Sequence, residues 1–171
     1  LLAARKKEEN VLIQSIERKE RTENAPELYD LTTLQRDANR ILGFTAQQTL
    51  DYTQSLYEKK LVTYPRTDSR YLTEDAAPIL EQLVPVVATL FHVNGEVVLN
   101  GEQVINSKKV SDHHAIIPTS TVASVNLEAL PKGEQEILRL ISIRLLAAVG
   151  EPYRFVETTV TAECAGEVFT S

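Results

Sequence analysis

The sequence predicts a mainly α-helical domain with a small β portion. Two neighbouring segments carry the polar signature of a helix start, a hydroxyl residue followed three positions later by glutamine, at Thr32 to Gln35 and Thr45 to Gln48. A third segment, Glu134 to Val149, repeats apolar residues at helical spacing. Residues Phe155 to Phe169 alternate as in a β-strand, with a hairpin turn expected at Ala165-Gly166.

The N-terminal part of the chain is dense in charge. Residues Arg5 to Glu23 carry apolar side chains only in the middle, and their oppositely charged neighbours suit a solvent-exposed helix. Pro26 would end this helix, because the residue before a proline is disfavoured in helical conformation. We therefore expect a connecting helix here rather than part of the core.

The two capped helices are predicted to form a tight helix–turn–helix unit. The first would run from its Thr32 cap to about Leu42, with Gly43 as the left-handed residue that ends it. The second would run from Thr45 to about Lys59, where lysines suit the negative end of the helix dipole. Its apolar face is predicted from residues at helical spacing, namely Leu50, Thr53, Leu56 and Tyr57.

The segment after the second helix is short, apolar and β-prone, from Leu61 to Tyr64. Pro65 then disfavours a helical Tyr64, so we expect this tyrosine on a rigid, non-helical segment. A further helix is predicted from Thr73 to about Leu90, interrupted or bent by its two prolines.

The region from Phe91 to Ser124 is predicted to be irregular or weakly β, because asparagine and glycine turn formers recur in it. All three histidines of the chain lie there. The long helix from Glu134 is predicted to end before Gly150 and Pro152 and to be buried along one stripe. That stripe consists of Ile137, Leu138, Ile141, Leu145 and Ala148.

Composition narrows the class of protein. The chain has 171 residues, of which 43% are hydrophobic and 25% charged, as in folded globular domains. The single Cys164 and the lack of zinc-ligand spacing favour a reducing, cytoplasmic setting without a zinc site. No apolar run is long enough to span a membrane. Because the sequence contains no methionine, we expect it to be part of a longer protein.

The net charge of −6 argues against a general nucleic-acid binder, whose surface is usually basic. The charge is nevertheless polarised along the chain. The stretch from Gln35 to Arg70 is mildly positive, whereas Glu74 to Glu102 contains no lysine or arginine. A basic face on one side of the domain is therefore compatible with the acidic average.

Tyr64 is the strongest candidate for chemistry. A phenol is a poor nucleophile at neutral pH, because its pKa is about 10, and it needs a base or stabilising cations. In an extended segment, Tyr64, Arg66 and Asp68 would share one side of the chain. Arg66 would then bring a phosphate-binding guanidinium beside the phenol, and Asp68 could orient that guanidinium or help to move a proton.

Several ordered motifs carry a family resemblance. They are Leu31-Thr32-Thr33-Leu34-Gln35, Gly43-Phe44-Thr45-Ala46-Gln47-Gln48-Thr49-Leu50, Leu56-Tyr57-Glu58, Thr63-Tyr64-Pro65-Arg66-Thr67-Asp68-Ser69-Arg70-Tyr71-Leu72 and Ser111-Asp112-His113-His114-Ala115-Ile116-Ile117-Pro118-Thr119. In order and spacing they resemble the active-site region of type IA DNA topoisomerases. The Tyr-Pro-Arg and His-His-Ala-Ile-Ile-Pro-Thr strings resemble topoisomerase III more than topoisomerase I.

The resemblance implies roles for individual residues. Tyr64 would form a 5′-phosphotyrosyl bond with one DNA strand, and Arg66 would help to hold the scissile phosphate. His113 would contact DNA near the cleavage site and assist proton movement. The resemblance also implies that Gln54, Thr63, Asp68 and His114 are DNA-binding residues. The resemblance implies no metal ligand in this chain.

The resemblance also implies what the chain does and what it lacks. It would be the tyrosine-bearing part of an ATP-independent isomerase that relaxes or decatenates DNA, acting on single-stranded DNA in the cytoplasm or bacterial nucleoid and not on a membrane. Mg²⁺ would be held by a separate Toprim domain, whose Asp-x-Asp motif is absent from this sequence. We therefore expect the isolated chain to be inactive and to lack a dedicated Mg²⁺ site.

The implied domain organisation has three parts. Residues 28–150 would form the tyrosine-bearing helical domain, winged-helix-like by resemblance. Residues 1–27 and 151–171 would be the outgoing and returning segments of a β-arch domain. The residues alone leave two other functions open: a non-catalytic helix–turn–helix DNA-binding domain in which Tyr64 is structural, and a protein-interaction domain, which the negative charge favours.

Overall fold

The computed structural model describes residues 11–93, 99–164 and 166–171. They divide into two compact units. One unit consists of the described residues up to Asn24 together with Pro152–Ser171, and the other is Ala25–Glu151. Within the described ranges, no helix combines the length and apolar character needed to cross a membrane.

The first unit is a three-stranded antiparallel sheet in the order β1-β2-β3. Its strands are β1 at Leu12–Glu23, β2 at Tyr153–Cys164 and β3 at Glu167–Thr170. The register joins Leu12 to Glu163 and Glu23 to Tyr153. The strands predicted between residues 155 and 169 are confirmed, and Gly166 has the positive φ of 78° that a tight turn requires. Ala165, the other residue of the predicted turn, lies outside the described residues.

The prediction of an N-terminal helix is wrong from Leu12 onward, where the chain is a β-strand; residues 5–10 lie outside the described ranges. Pairing along the whole of β2 decides the conformation of this segment, because helix propensity is a weak prior that tertiary partners override. Two polar side chains of this segment instead pair across the sheet. Arg21 donates to Glu157 at 2.8 Å, and Gln14 donates to Glu163 at 2.6 Å.

The second unit begins with the predicted helix pair, α1 at Leu31–Leu42 and α2 at Ala46–Glu58. Gly43 ends α1 with φ 72°, and Thr45 caps α2 in a reciprocal box with Gln48, both as predicted. The predicted cap of α1, Thr32, is wrong: Asp30 is the cap and exchanges hydrogen bonds with Thr33. An aspartate two residues earlier supplies a carboxylate acceptor, which is at least as strong a capping group as a threonine hydroxyl.

Helix α2 buries Thr49, Thr53 and Leu56 rather than the whole predicted face. Leu50 is half-buried, and Tyr57 lies on the solvent side with 38% of its surface exposed. The two threonines can be buried because their hydroxyls donate to backbone carbonyls one turn earlier, at 3.0 and 2.6 Å. Tyr57 is thereby left free to contact residues outside the core.

A left-handed Lys60 ends helix α2. Its φ is 62°, its amide donates to the Tyr57 carbonyl at 2.8 Å, and the Leu61 amide donates to the Leu56 carbonyl at 2.9 Å. This pair of bonds is the Schellman arrangement, here with a lysine at the position where glycine is usual. It turns the chain sharply into the segment that carries Tyr64.

Two more helices complete this unit, α3 at Ala77–Leu90 and α4 at Lys132–Val149. Helix α3 follows a short 3₁₀ turn, has Pro78 in its first turn and continues through Pro85 without the interruption that was predicted as one possibility. Helix α4 buries all five residues of the predicted stripe. At its start, a Cβ on Gly133 would lie 2.3 Å from the Tyr52 ring, so any larger residue there would force the ring of Tyr52 on α2 to move.

The described residues between α3 and α4 form 3₁₀ turns and isolated β-bridges, as the turn-forming residues predicted. The turns lie at Gly101–Val104, Ser107–Lys109, Ser120–Ser124 and Leu127–Ala129. The bridges join Tyr29 to Ile116, Val62 to Pro118 and Leu72 to Ile105. They bring the histidine-containing segment against the tyrosine-bearing segment in the middle of the unit.

Candidate active site

The tyrosine-bearing segment has one buried and one outward side. Pro65, Thr67 and Ser69 are buried, whereas Arg66 and Asp68 between them are exposed and Tyr64 is half-buried. Alternate residues of a non-helical chain point to opposite sides, so the inward residues anchor the segment while the outward ones remain available. The segment belongs to no helix or named strand.

Hydrogen bonds attach the inward side to the histidine-containing segment. The Thr63 amide donates to the Ile117 carbonyl at 2.9 Å, and the Thr63 hydroxyl accepts from the Ile117 amide and donates to the Ala115 carbonyl, both at 3.0 Å. The Thr67 hydroxyl donates to the His113 carbonyl at 2.7 Å. These bonds fix the backbone of His113 relative to that of Tyr64.

The Tyr64 ring contacts two other rings. The centroid of His113 is 4.4 Å from that of Tyr64 at an interplanar angle of 45°, and Tyr57 meets Tyr64 edge-on at 5.4 Å. Among the described residues, none forms a hydrogen bond with the Tyr64 hydroxyl. The phenol is therefore oriented by two aromatic contacts while its oxygen stays available for an external group.

Arg66 is held by a neutral partner. Its Nη1 donates to Gln54 Oε1 at 2.8 Å, and Gln54 Nε2 donates to Glu58 at 3.1 Å. No carboxylate of the described chain forms an ion pair with Arg66. The expectation that Asp68 orients Arg66 is thus not met, since Asp68 accepts from the Ser111 hydroxyl at 3.3 Å and Gln54 takes the orienting place.

The two adjacent histidines occupy different surroundings. His113 stacks against Tyr64, whereas His114 has its Nδ1 2.8 Å from the Ala115 carbonyl oxygen. The Thr73 hydroxyl holds the pKa of the Asp75 carboxyl below its ordinary value, with a smaller contribution from the charge of His114. Only one of the two histidines therefore contacts the tyrosine.

The residues brought together around Tyr64 define what we call the tyrosine site: Gln54, Tyr57, Tyr64, Arg66 and His113. Tyr57 was not singled out from the sequence as a functional residue. The signal was present in its spacing, because Gln54, Tyr57 and Glu58 are three and four positions apart and share one face of a helix. Within the described ranges, no group of three histidine, cysteine or acidic residues is placed to hold a metal ion.

A second polar group lies elsewhere in the same unit, and we call it the Arg70 cluster: Glu27, Asp30, Arg70, Tyr71 and Lys109. Arg70 donates to Asp30 at 2.8 Å and to Glu27 at 2.9 Å, and Tyr71 donates to Glu27 at 2.7 Å. Hydrogen bonds from Tyr71 and Arg70 lower the pKa of Glu27. Burial opposes ionisation of Asp30, but bonds from Thr33 and Arg70 outweigh it and lower its pKa.

Tyr29 shows how a structural tyrosine differs from Tyr64. It is 1% exposed, donates to Asp37 at 2.8 Å and has Arg144 stacked 4.2 Å from its ring centroid. Burial, with the hydrogen bond to Asp37, raises the pKa of Tyr29 to about 12. A phenol this protected cannot act on an external substrate.

Comparison with known proteins defines the class to which this fold and site belong. The sequence model of the DNA topoisomerase family matches residues 1–171, so the chain belongs to the DNA topoisomerase family. Within it, the chain is type IA and topoisomerase III-like. DNA topoisomerase 3 of Bacillus licheniformis is 46% identical over 154 residues, which cover 86% of this chain and 21% of that protein.

A second curated relative and a solved structure are also similar to this chain. DNA topoisomerase 3 of Bacillus subtilis is 43% identical over 154 residues, with 86% of this chain and 21% of that protein covered. The chain thus spans about a fifth of the length of these curated relatives. Full-length topoisomerase I from Thermotoga maritima has the same fold, with a TM-score of 0.70 at 23% identity over 99% of this chain and 29% of that one.

Proposed function

We propose that this chain supplies the nucleophile with which a type IA topoisomerase cleaves and rejoins one DNA strand. The observation that carries the proposal is Tyr64, whose hydroxyl has no described protein partner and whose ring is oriented by Tyr57 and His113. Arg66, two residues further along the chain, is anchored by Gln54. The motifs of the sequence and the family membership support the same assignment.

In the proposed step, the Tyr64 oxygen attacks the scissile phosphorus after losing its proton. A bond forms between that oxygen and phosphorus, the bond from phosphorus to the 3′ oxygen breaks, and the released 3′ oxygen takes up a proton. The 5′-phosphotyrosine keeps the bond energy, so the reverse attack by the 3′ hydroxyl reseals the strand without ATP. Arg66 binds the non-bridging phosphate oxygens and stabilises the developing charge.

We propose different roles for the residues around Tyr64 and Arg66. His113 contacts the DNA near the scissile phosphate and takes part in proton transfer. Asp68 and His114 are proposed DNA contacts at the edge of the site, whereas Gln54 is hydrogen-bonded to Arg66. The Thr63 hydroxyl already uses both its donor and an acceptor position in the protein, so we propose that Thr63 acts mainly by holding the backbone beside Tyr64.

The chemistry needs groups from outside this chain. We propose that Mg²⁺ is held by a Toprim domain of the full-length polypeptide, where it would help to position the DNA phosphates. We further propose single-stranded DNA as the bound form of the substrate and the cytoplasm or nucleoid as the location. In this view the sheet unit belongs to a β-arch domain, and the helical unit is the winged-helix-like domain that carries the tyrosine.

Covalent trapping tests the proposal. The full-length polypeptide is incubated with end-labelled single-stranded DNA and Mg²⁺ and then denatured, in wild-type, Tyr64→Phe and Tyr153→Phe forms. Tyr153 is a matched control because it is 66% exposed and lies in the sheet unit. We expect labelled adduct in the wild type and the control and none in Tyr64→Phe.

Two results would contradict the proposal in different ways. An adduct that persists in Tyr64→Phe means that another residue is the nucleophile. Salt-sensitive DNA binding without any adduct in the wild type would favour a non-catalytic DNA-binding domain, and the absence of both would favour a protein-interaction domain.

A further inference from the structure

We infer that Gln54 is a positioning residue for Arg66, held in its working orientation by Glu58; this inference rests on the proposed function of the tyrosine site. It differs from a direct contact between Gln54 and DNA. In the inferred arrangement, the glutamine acts on the substrate only through the guanidinium that it orients.

The hydrogen-bond chemistry of the three residues fixes the orientation of the Gln54 amide. An ionised glutamate only accepts hydrogen bonds, and an arginine only donates them. Gln54 lies between them, with Nε2 3.1 Å from Glu58 Oε1 and Oε1 2.8 Å from Arg66 Nη1. The opposite orientation of the amide would place donor against donor and acceptor against acceptor, so Glu58 ensures that a carbonyl oxygen faces Arg66.

A neutral acceptor orients the arginine without cancelling its charge. Gln54 takes up one of the five N–H donors of the guanidinium, and the described chain gives Arg66 no carboxylate partner. Arg70 in the same segment is bonded to two carboxylates. Arg66 is therefore anchored and still able to bind a phosphate with its full charge and its remaining donors.

The same helix face reaches both the anion-binding group and the nucleophile. Gln54 and Tyr57 are three residues apart on α2, and Tyr57 meets the Tyr64 ring at 5.4 Å. The opposite side of the helix is buried through Thr49, Thr53 and Leu56. Because α2 is fixed by that burial, its exposed face sets the positions of Arg66 and Tyr64 relative to each other.

A double-mutant cycle separates positioning from direct contact. If Gln54 acts through Arg66, then Gln54→Leu loses its effect in the Arg66→Ala background. A direct DNA contact by Gln54 would persist in that background. Gln47→Leu is a matched control, because Gln47 on the same helix makes the same kind of bond to a carboxylate four residues later, to Asp51 at 2.7 Å, and neither residue is hydrogen-bonded to Arg66.

The cycle is measured on the full-length polypeptide with two readouts. The first is the rate of adduct formation at saturating single-stranded DNA. The second is the dissociation constant for the same DNA in a Tyr64→Phe background, which remains measurable when cleavage is very slow. A hydrogen bond to a charged group predicts a drop of about tenfold in the adduct rate for Gln54→Leu, with unchanged thermal stability. We expect a smaller weakening of DNA binding, of roughly threefold, because orientation matters most in the transition state.

The expected pattern is an effect of Gln54→Leu with Arg66 present, none in the Arg66→Ala background in either readout, and none for Gln47→Leu. Equal losses with and without Arg66 would overturn the inference in favour of a direct DNA contact. No loss with Arg66 present would overturn it as well. Failure of the proposed function is seen separately, as adduct that survives in Tyr64→Phe.

Discussion

Two arginines of one short segment, Arg66 and Arg70, have opposite surroundings. Arg66 is exposed and bonded to a single neutral amide, whereas Arg70 bonds to Asp30 and Glu27 and joins the segment before α1 to the tyrosine-bearing segment. Those two carboxylates raise the pKa of Arg70 above its ordinary value, since they stabilise its charged form.

The difference shows how charge is divided between folding and binding in this unit. The charge of Arg70 is compensated within the protein. One of its two partners, Asp30, is a buried carboxylate that is only 6% exposed. Arg66 is exposed two residues after Tyr64, and no carboxylate of the described residues forms an ion pair with it. We therefore expect a phosphate to bind at Arg66. Removal of the Arg70 side chain, in contrast, should lower the stability of the fold.

The largest expected effect is that of Arg66→Ala on catalysis. Removing a donor that stabilises transition-state charge predicts a loss of about 100-fold in adduct formation by the full-length polypeptide. Stability should stay within roughly 0.5 kcal/mol of wild type, as is usual for exposed surface positions. Trapping and urea unfolding of the same preparation check both values. A loss of stability without loss of cleavage would reverse the assigned roles.

Arg70→Ala should show the opposite balance. It removes both ion pairs of Arg70 and leaves Asp30 buried without a cation, which predicts a destabilisation of about 1–2 kcal/mol after allowance for the partial exposure of the arginine. Adduct formation per folded molecule should change little. Urea unfolding followed by far-ultraviolet circular dichroism measures the first value, and Arg36→Ala, an exposed arginine of α1, is the control. Equal stability of Arg70→Ala and Arg36→Ala would mean that the Arg70 cluster does not stabilise the fold.

Acid should weaken the Arg70 cluster selectively. Asp30 and Glu27 have folded-state pKa values below their ordinary 3.8 and 4.5, so their contribution to stability is present above those values and is lost as the pH falls through the folded-state pKa. Asp30→Asn keeps a good capping group but loses the ion pair, which predicts about 1 kcal/mol lower stability at neutral pH.

Urea unfolding of wild type and Asp30→Asn at several pH values tests whether the charge of Asp30 stabilises the fold. The difference in unfolding free energy between wild type and Asp30→Asn should shrink as the pH is lowered from neutrality to below the ordinary pKa of aspartate. A difference that stays constant or grows in acid would mean that the charge of Asp30 does not stabilise the fold.

The smallest effect is expected at Lys60, where the backbone delivers the chain to the tyrosine site. Lys60→Gly should stabilise the protein by about 0.5–1 kcal/mol, because glycine adopts the left-handed conformation without the steric cost paid by lysine. Thermal unfolding measures the gain, with Lys59→Gly as the contrasting variant at a right-handed position, where glycine should destabilise. A loss of stability in Lys60→Gly would mean that the lysine side chain contributes more than the backbone strain costs.

Local signals in the sequence predicted the helical unit well. Gly43, the Thr45 box and the apolar stripe of α4 depend on neighbours within a few positions, so reading them requires no knowledge of the fold. Prediction failed for β1, because its partner strand lies more than a hundred residues away in sequence. The Thr32 cap failed for a smaller reason, competition from the adjacent Asp30.

The sequence singled out four residues that the structure places in the tyrosine site, Gln54, Tyr64, Arg66 and His113, but it predicted neither Tyr57 nor the contacts among these side chains. The motifs pointed to Tyr64, Arg66 and His113, whose proposed roles await the trapping experiment. Asp68 was predicted either to orient Arg66 or to help move a proton, but the side chain that is hydrogen-bonded to Arg66 is Gln54. Arg66 and Asp68 are two residues apart and were expected on one side of an extended chain. In the structure, however, Asp68 accepts a hydrogen bond from Ser111, and Gln54 on the exposed face of α2 bonds to Arg66.

The sequence by itself determined the helices, the turns, the non-helical setting of Tyr64 and the family to which the chain belongs, because each depends on local chemistry or ordered motifs. The tertiary structure decided which charged side chains form ion pairs within the protein. It paired Arg70 with Asp30 and Glu27 and left Arg66 on a neutral amide, although both arginines stand in the same short segment. Charge compensation depends on distances between residues far apart in the chain, and only the folded packing sets those distances.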